Sequence, residues 1–184
     1  MKFNKLSLGA FTVFASFYRG AAVPTLQDGN TAAKYELIEA VQVGGVNLTM
    51  YGYKDITPID MPLELKKRCG DNVAFCTYNS DTLARADICL DLIKSFLNSK
   101  FSDIPIRGGL RNICNDLGAR QGKCCVGLTH NLGGTGATYS DLFPAALQVY
   151  NKCVHNNIVS GFTSGVNLGG MCGKQCLGSA DTCG

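Results

Sequence analysis

The 184-residue chain has no cysteine before position 69, no glutamate after position 64, and two histidines in all, His130 and His155. Each shortage removes a class of chemistry. Two histidines leave a zinc site dependent on cysteine, and a hydrolase triad would have to use His130 or His155 as its base. From Cys69 to Gly184, nine Lys or Arg stand against eight Asp. A polyanion-binding protein normally carries a marked excess of Lys and Arg, with aromatic residues beside them when single strands are the target, so nucleic acid is not an expected partner. The formal charge of +3 on the whole chain includes Lys2, Lys5 and Arg19 near its start. Nothing beyond Tyr18 is apolar over the ~20 residues needed to cross a bilayer, so no transmembrane segment is expected.

Cysteine is plentiful instead. Ten occur, at Cys69, Cys76, Cys89, Cys114, Cys124, Cys125, Cys153, Cys172, Cys176 and Cys183. An even number in a short chain reads as a disulfide framework formed in an oxidising compartment. The start of the chain agrees: Met1 to Lys5 is basic, Leu6 to Tyr18 is apolar, and small residues follow at Ala21 and Ala22, the order of a secretory signal peptide. The expected organisation is a signal peptide over 1–22, an N-terminal segment or propeptide over 23–68, and a cysteine-rich domain over 69–184, in a secreted, extracellular protein. Lys67-Arg68, directly before the first cysteine, resembles a dibasic processing site; an uncut basic turn is the blander alternative. Asn47-Leu48-Thr49 is an N-glycosylation sequon, meaningful if the chain is exported.

Several stretches carry the periods of regular structure. Val41, Val43, Val46, Leu48, Met50 and Tyr51 flank Gly44-Gly45 and predict two short strands around a glycine turn. Val73 to Tyr78 is a strand candidate ended by Asn79-Ser80-Asp81, which can cap a helix with an apolar stripe of Ala86, Cys89, Leu90, Ile93, Phe96 and Leu97. Leu110 to Leu117 reads as a short helix stopped by Gly118. Gly122 to His130 is a strand with two adjacent cysteines, whose side chains point to opposite faces of a sheet. Ser140 then caps a second helix with Leu142, Ala146, Val149, Tyr150 and Cys153 inward. Ile158 to Val166 is a last strand, and Met171 to Gly184 a cysteine-rich end. This order predicts an α+β fold, a two-layer sandwich of a mainly antiparallel sheet covered by two helices. The repeated Asn-Leu-Gly-Gly at 131–134 and 167–170 predicts similar turns after strands.

Candidate chemistry weighs little against this scaffold. Gly134-Thr135-Gly136 is a fragment of a phosphate-loop fingerprint without its third glycine or a following Lys-Ser/Thr. His130 and His155 with Cys172, Cys176 and Cys183 do not match a strong zinc spacing. Ser160 or Ser164 with a histidine and Asp141 lacks a nucleophile elbow. Arg107, Arg111, Arg120 and Lys123 cluster along the chain and are expected on a solvated loop. The expectation is therefore a non-enzymatic protein with no catalytic residue, no cofactor and no metal. Cys124-Cys125 is expected to act as a structural rivet, although adjacent cysteines also suit redox chemistry.

Five motifs together, Ile88-Cys89-Leu90-Asp91-Leu92-Ile93, Lys123-Cys124-Cys125-Val126, Tyr139-Ser140-Asp141-Leu142 with Ala145-Ala146, Cys153, and Gly170-Met171-Cys172 with Gln175-Cys176-Leu177 and Cys183, make residues 88–184 resemble the secreted fungal WD-like domain family. That resemblance implies no activity. More distantly, the order of elements and the density of cysteines are similar to fungal killer toxins and secreted effectors. The expected function is a secreted effector or antimicrobial toxin-like protein with a host or competitor cell-surface target. A structural or adhesive cell-wall protein that binds glucan or chitin is the alternative; hydrophobins, which need several cysteine doublets, fit poorly.

Overall fold

The computed structural model describes residues 35–53, 69, 72–118, 122–130, 132 and 135–179. Strands β1 (Tyr35–Val43) and β2 (Val46–Tyr53) form a hairpin about Gly44 and Gly45, whose φ values of 56° and 86° are those of a two-residue turn matched to the strand twist. This hairpin is part of the main sheet, because β2 pairs antiparallel with β5 (Leu110–Asp116) from Leu48 to Gly52. β5 pairs with β6 (Lys123–Leu128), β6 with β9 (Met171–Gly178), β9 with β8 (Gly161–Leu168), and β8 with β3 (Val73–Cys76). The result is a seven-stranded antiparallel sheet in the order β1-β2-β5-β6-β9-β8-β3. Two short strands, β4 (Ala84–Arg85) and β7 (Ile158–Val159), pair separately. The helices are α1 (Ala86–Ser95) and α2 (Phe143–Cys153).

Register fixes which side chains meet the helices. Ile113 faces Val126, Val126 faces Leu177, Leu177 faces Gly161, and Gly161 faces Cys76, so these five positions share one face of the sheet. Cys124 lies on that face and is bonded to Cys89 of α1; Cys76 lies on it and is bonded to Cys153 of α2. Both helix cross-links therefore leave the sheet from the same side. Leu48, Met50, Ile113, Val126 and Leu177 of the sheet, Leu92 and Ile93 of α1, and Ala146 and Val149 of α2 are buried in one apolar cluster. Polar groups on this face are anchored to helix carbonyls: Asn115 Nδ2 donates to Ile88 O (3.3 Å), Thr163 Oγ1 to Ala145 O (3.1 Å) and Gln175 Nε2 to Leu142 O (2.7 Å). Each holds a helix end or turn in place with a bond shielded from water.

Four expectations require correction. Ser140 does not cap α2; it lies within a 3-10 turn, Tyr139–Leu142, that Thr138 caps and that leads into the helix. Leu110 to Leu117 is strand β5, not a helix. Its residues from Asn112 to Asn115 are buried on both faces, so the period of two that marks a strand is hidden. Gly118, at φ 88°, serves the β5–β6 connection, with its N–H donating to Asp116 Oδ1 (2.8 Å). Asn79 caps a 3-10 turn at Ser80–Thr82 rather than α1, because Ala84 and Arg85 are drawn into pairing with β7 before the helix begins. Leu97 is 55% exposed, since α1 ends two residues earlier. The cysteine-rich end contains strand β9, and Gly169-Gly170 of the second Asn-Leu-Gly-Gly turns the β8–β9 hairpin with both φ positive. The first copy falls largely outside the described residues.

Two measurements test this core. Leu48 is fully buried, so Leu48→Ala is expected to cost about 2–5 kcal/mol in denaturant unfolding; an unchanged midpoint would show that the hairpin is not part of the cooperative unit. Tyr139 is buried, its hydroxyl donates to Met50 Sδ (3.3 Å), and burial, aided by the nearby Glu39 carboxylate, pushes its pKa up to about 12. An unfolded tyrosine ionises near pH ~10. The folded state thus holds the proton more tightly, and this contribution to stability is full below pH ~10 and is lost as pH rises towards 12. Tyr139→Phe should flatten the fall in the urea midpoint between these values; an identical fall in the variant refutes the assignment.

Candidate functional site

The two adjacent cysteines of β6 leave it in opposite directions. Cys124 is bonded to α1, while Cys125 is bonded across the other face to Cys114, its direct register partner on β5. Their Cα separations are 5.2 and 4.0 Å. Cys69 is joined to Cys172 of β9. Cys176 is also disulfide-bonded, and Cys183 lies outside the described residues. No described cysteine is a free thiol, so the doublet is structural, and α2 is tied through Cys153 to β3.

Cys114 and Cys125 mark the sheet face turned away from the helices, and that face carries a pattern of rings and cations. At one end Tyr35 lies against Tyr51, with centroids 6.5 Å apart, and edge-on to Tyr53 at 5.5 Å. Asn112 Nδ2 donates to the Tyr35 hydroxyl (2.6 Å). A register slip between Tyr51 and Gly52 brings Arg111 to Tyr53, where its guanidinium lies 5.5 Å from the ring centroid while Nη1 donates to Thr129 O (2.6 Å). Lys123 Nζ lies 5.5 Å from the Tyr51 centroid. Four strand spacings from β2, roughly 19 Å, Phe162 of β8 faces Phe75 of the next strand, β3, at 5.1 Å, with Lys174 and Lys152 over their rings. Cation–π contact of this kind draws an ammonium or guanidinium group to the negative face of a ring.

Arg111 and Lys123 thus stand on strands, not on the solvated loop expected of them; their pairing with rings depends on a register that sequence spacing does not disclose. Arg107 forms a salt bridge with Glu39 (3.0 Å), and Arg120 lies outside the described residues, as do Lys67 and Arg68.

Ser160 and Asp141, two of the groups weighed for catalysis, are engaged in hydrogen bonds of their own. Ser160 is buried, with Oγ at 2.7 Å from Thr77 Oγ1 and donating to Thr82 Oγ1 at 2.9 Å. Asp141 accepts from Thr138 N (2.7 Å) and Oγ1 (3.1 Å) in a capping box. His130 and His155 are exposed. Thr135 Oγ1 donates to Leu132 O (2.6 Å) and accepts from Ala137 N (3.2 Å), so the glycine-rich loop folds onto its own hydroxyl. Among the described residues, no group of three or more His, Cys, Asp or Glu could hold a metal. A trough of about 610 Å³ lies between the β1–β2 turn and the loop after α1; among the described residues, Lys100 is the one ionisable side chain lining it. Among the described residues, no helix is long and apolar enough to cross a membrane.

Compared with known protein families, curated proteins and solved structures, the chain matches none of them. The disulfides and the ring-and-cation face therefore carry the functional argument.

Asn47 is exposed near the hairpin turn, opposite Gln42, while Leu48 points into the core and Thr49 Oγ1 donates to Cys114 O (3.3 Å). A glycan on Asn47 meets no buried side chain. Expression in a glycosylating secretory host should add an endoglycosidase-sensitive mass that Asn47→Gln removes, with stability kept within about 0.5 kcal/mol. An intact mass without glycan would remove the site.

Proposed function

We propose that this is a secreted, disulfide-stabilised, non-enzymatic protein that acts on another cell as an effector or antimicrobial toxin-like molecule. In this reading it belongs with the secreted fungal WD-like domain proteins, and its two helices form the single layer covering the sheet. The observation that carries the proposal is the oxidation of every described cysteine into a framework tying both helices and β5 to the sheet. Such cross-links persist outside the reducing cytosol. Each contributes about 2–4 kcal/mol, chiefly by restricting the unfolded chain, which suits a protein exposed to proteases.

Processing at Lys67-Arg68 remains part of the proposal, with a particular consequence. The β1–β2 hairpin has no cysteine, and its Leu48 and Met50 are buried in the core. A cut after Arg68 would leave a two-chain molecule held by strand pairing and burial, instead of shedding an independent propeptide.

A second reading, a structural or adhesive cell-wall protein, is favoured by the cluster of Tyr35, Tyr51 and Tyr53, since aromatic rings with polar tips suit sugar surfaces. Purified oxidised protein applied to fungal, bacterial and plant cells should arrest growth or provoke a response in at least one class, and reduced, alkylated protein should not. Inactivity across the panel overturns the effector reading; retention on glucan or chitin with inactivity supports the wall reading.

A further inference from the structure

The trough between the β1–β2 turn and the loop after α1 holds about 610 Å³, inside the span of about 300–1,000 Å³ usual for small-ligand sites. Buried Val43 and Phe101 and half-buried Val41 give it an apolar floor, and Ile104, 44% exposed, stands at its mouth. Its polar groups are unevenly assorted. Asn98 Oδ1 accepts from Lys100 N (3.0 Å), which leaves Nδ2 as a donor on the other branch of the amide, 3.2 Å from where a side chain on Gly44 would begin. A glycine at that turn thus makes room for the amide. Ser99 and Lys100 are exposed on the same rim, and among the described residues no carboxylate lines the trough beside the Lys100 ammonium. Asp103, close by along the chain, accepts from Ser102 Oγ (3.4 Å) and is not part of the lining.

This inventory discriminates among ligands. A cationic molecule would meet Lys100 with no acid to hold it. A nucleobase or sugar stacks on an open ring face, and Phe101, the one aromatic lining residue among those described, is 3% exposed and stacked on Tyr139 with centroids 4.1 Å apart. Donors prevail on the rim: Lys100 Nζ and Asn98 Nδ2 can only donate, while Gln42 and Ser99 bring both kinds of group. An apolar floor beneath a donor-rich rim with a single positive charge is complementary to an apolar tail that ends in one anionic acceptor.

We propose that this trough binds an amphipathic monocarboxylate of the medium-chain fatty acid class. The acyl chain lies on Val41, Val43 and Ile104, and the carboxylate accepts from Lys100 Nζ and Asn98 Nδ2. The site lies apart from the disulfides, so the proposal goes beyond the effector reading and does not depend on it.

Titration of the isotope-labelled, oxidised full chain with sodium decanoate, followed by NMR, is the test. The side-chain amide signals of Asn98 and Gln42 and the backbone signal of Lys100 should shift saturably below the micellar concentration. Octanoate should bind about fivefold more weakly, because it buries two fewer methylenes in an open trough. Decanol, lacking the charge, should bind at least about threefold more weakly than decanoate. Lys100→Gln should weaken decanoate about threefold and leave decanol unchanged. Ser99→Trp, which fills the trough from an exposed position, should abolish binding with the thermal transition retained; if a variant fails to fold, the wild-type ligand series decides. Decanol or decyltrimethylammonium binding as tightly as decanoate overturns the proposal, as do shifts confined to other parts of the sheet, binding that survives Ser99→Trp, or no saturable binding. Shifts at the same amides with an N-acetylglucosamine oligomer but not with decanoate assign the trough to a sugar and overturn it as well.

Discussion

Two neighbouring residues of one strand, bonded to opposite sides of the sheet, constrain everything else in this protein. Cys124 holds α1 against the core face and Cys125 holds β5 on the other face. Because strand side chains alternate, neither bond can form with β6 shifted by one residue unless the other is lost. The doublet thus locks the register of β6, and through the β5–β6 and β6–β9 ladders it sets which side chains of the neighbouring strands face the helices. The Cys76–Cys153 bond repeats the constraint at the far edge, where α2 meets β3.

Cross-linking and burial divide the chain between them. The four described bridges close sequence separations of 11 to 103 residues, and a loop near the upper end removes unfolded-state entropy of about 4.7 kcal/mol in the chain-entropy account. Their loops overlap, so such terms do not add. The β1–β2 hairpin receives no covalent help and depends on pairing with β5 and on Leu48 and Met50 in the core. Its place in the sheet is set by the same β5 that Cys125 pins. Loss of register at the doublet would therefore reach a segment that contains no cysteine.

The legible parts of the fold were those with a local signature. The hairpin at Gly44-Gly45 follows from a turn that requires two positive φ values, and the 143–153 helix from its apolar spacing. β5 was misread because burial on both faces removes alternation, leaving Leu110 to Leu117 with an apolar pattern common to buried strands and helices. β4 was missed because its pairing with β7 depends on residues more than seventy positions away. The ring-and-cation face was hidden for the same reason: Arg111 and Tyr53, or Lys174 and Phe162, are neighbours only after the strands are ordered.

The near-neutral charge of the cysteine-rich region also concealed how differently its acids and bases are placed. Five of its aspartates are used locally: Asp81 and Asp103 accept from adjacent serines, Asp87 pairs with Arg85 at the start of α1, Asp116 accepts from Gly118 N, and Asp141 closes a capping box. A carboxylate fits those turns because it satisfies donors that the backbone leaves open. Arg111, Lys123, Lys152 and Lys174 are each positioned over an aromatic ring, whose negative face attracts a cation. Asp116 and Lys123 are nevertheless direct register partners, so acid and base share a face of the sheet. What distinguishes the two kinds of side chain is the neighbour each finds, open backbone and hydroxyl donors for the carboxylates and ring faces for the cations, and neither preference is visible in composition.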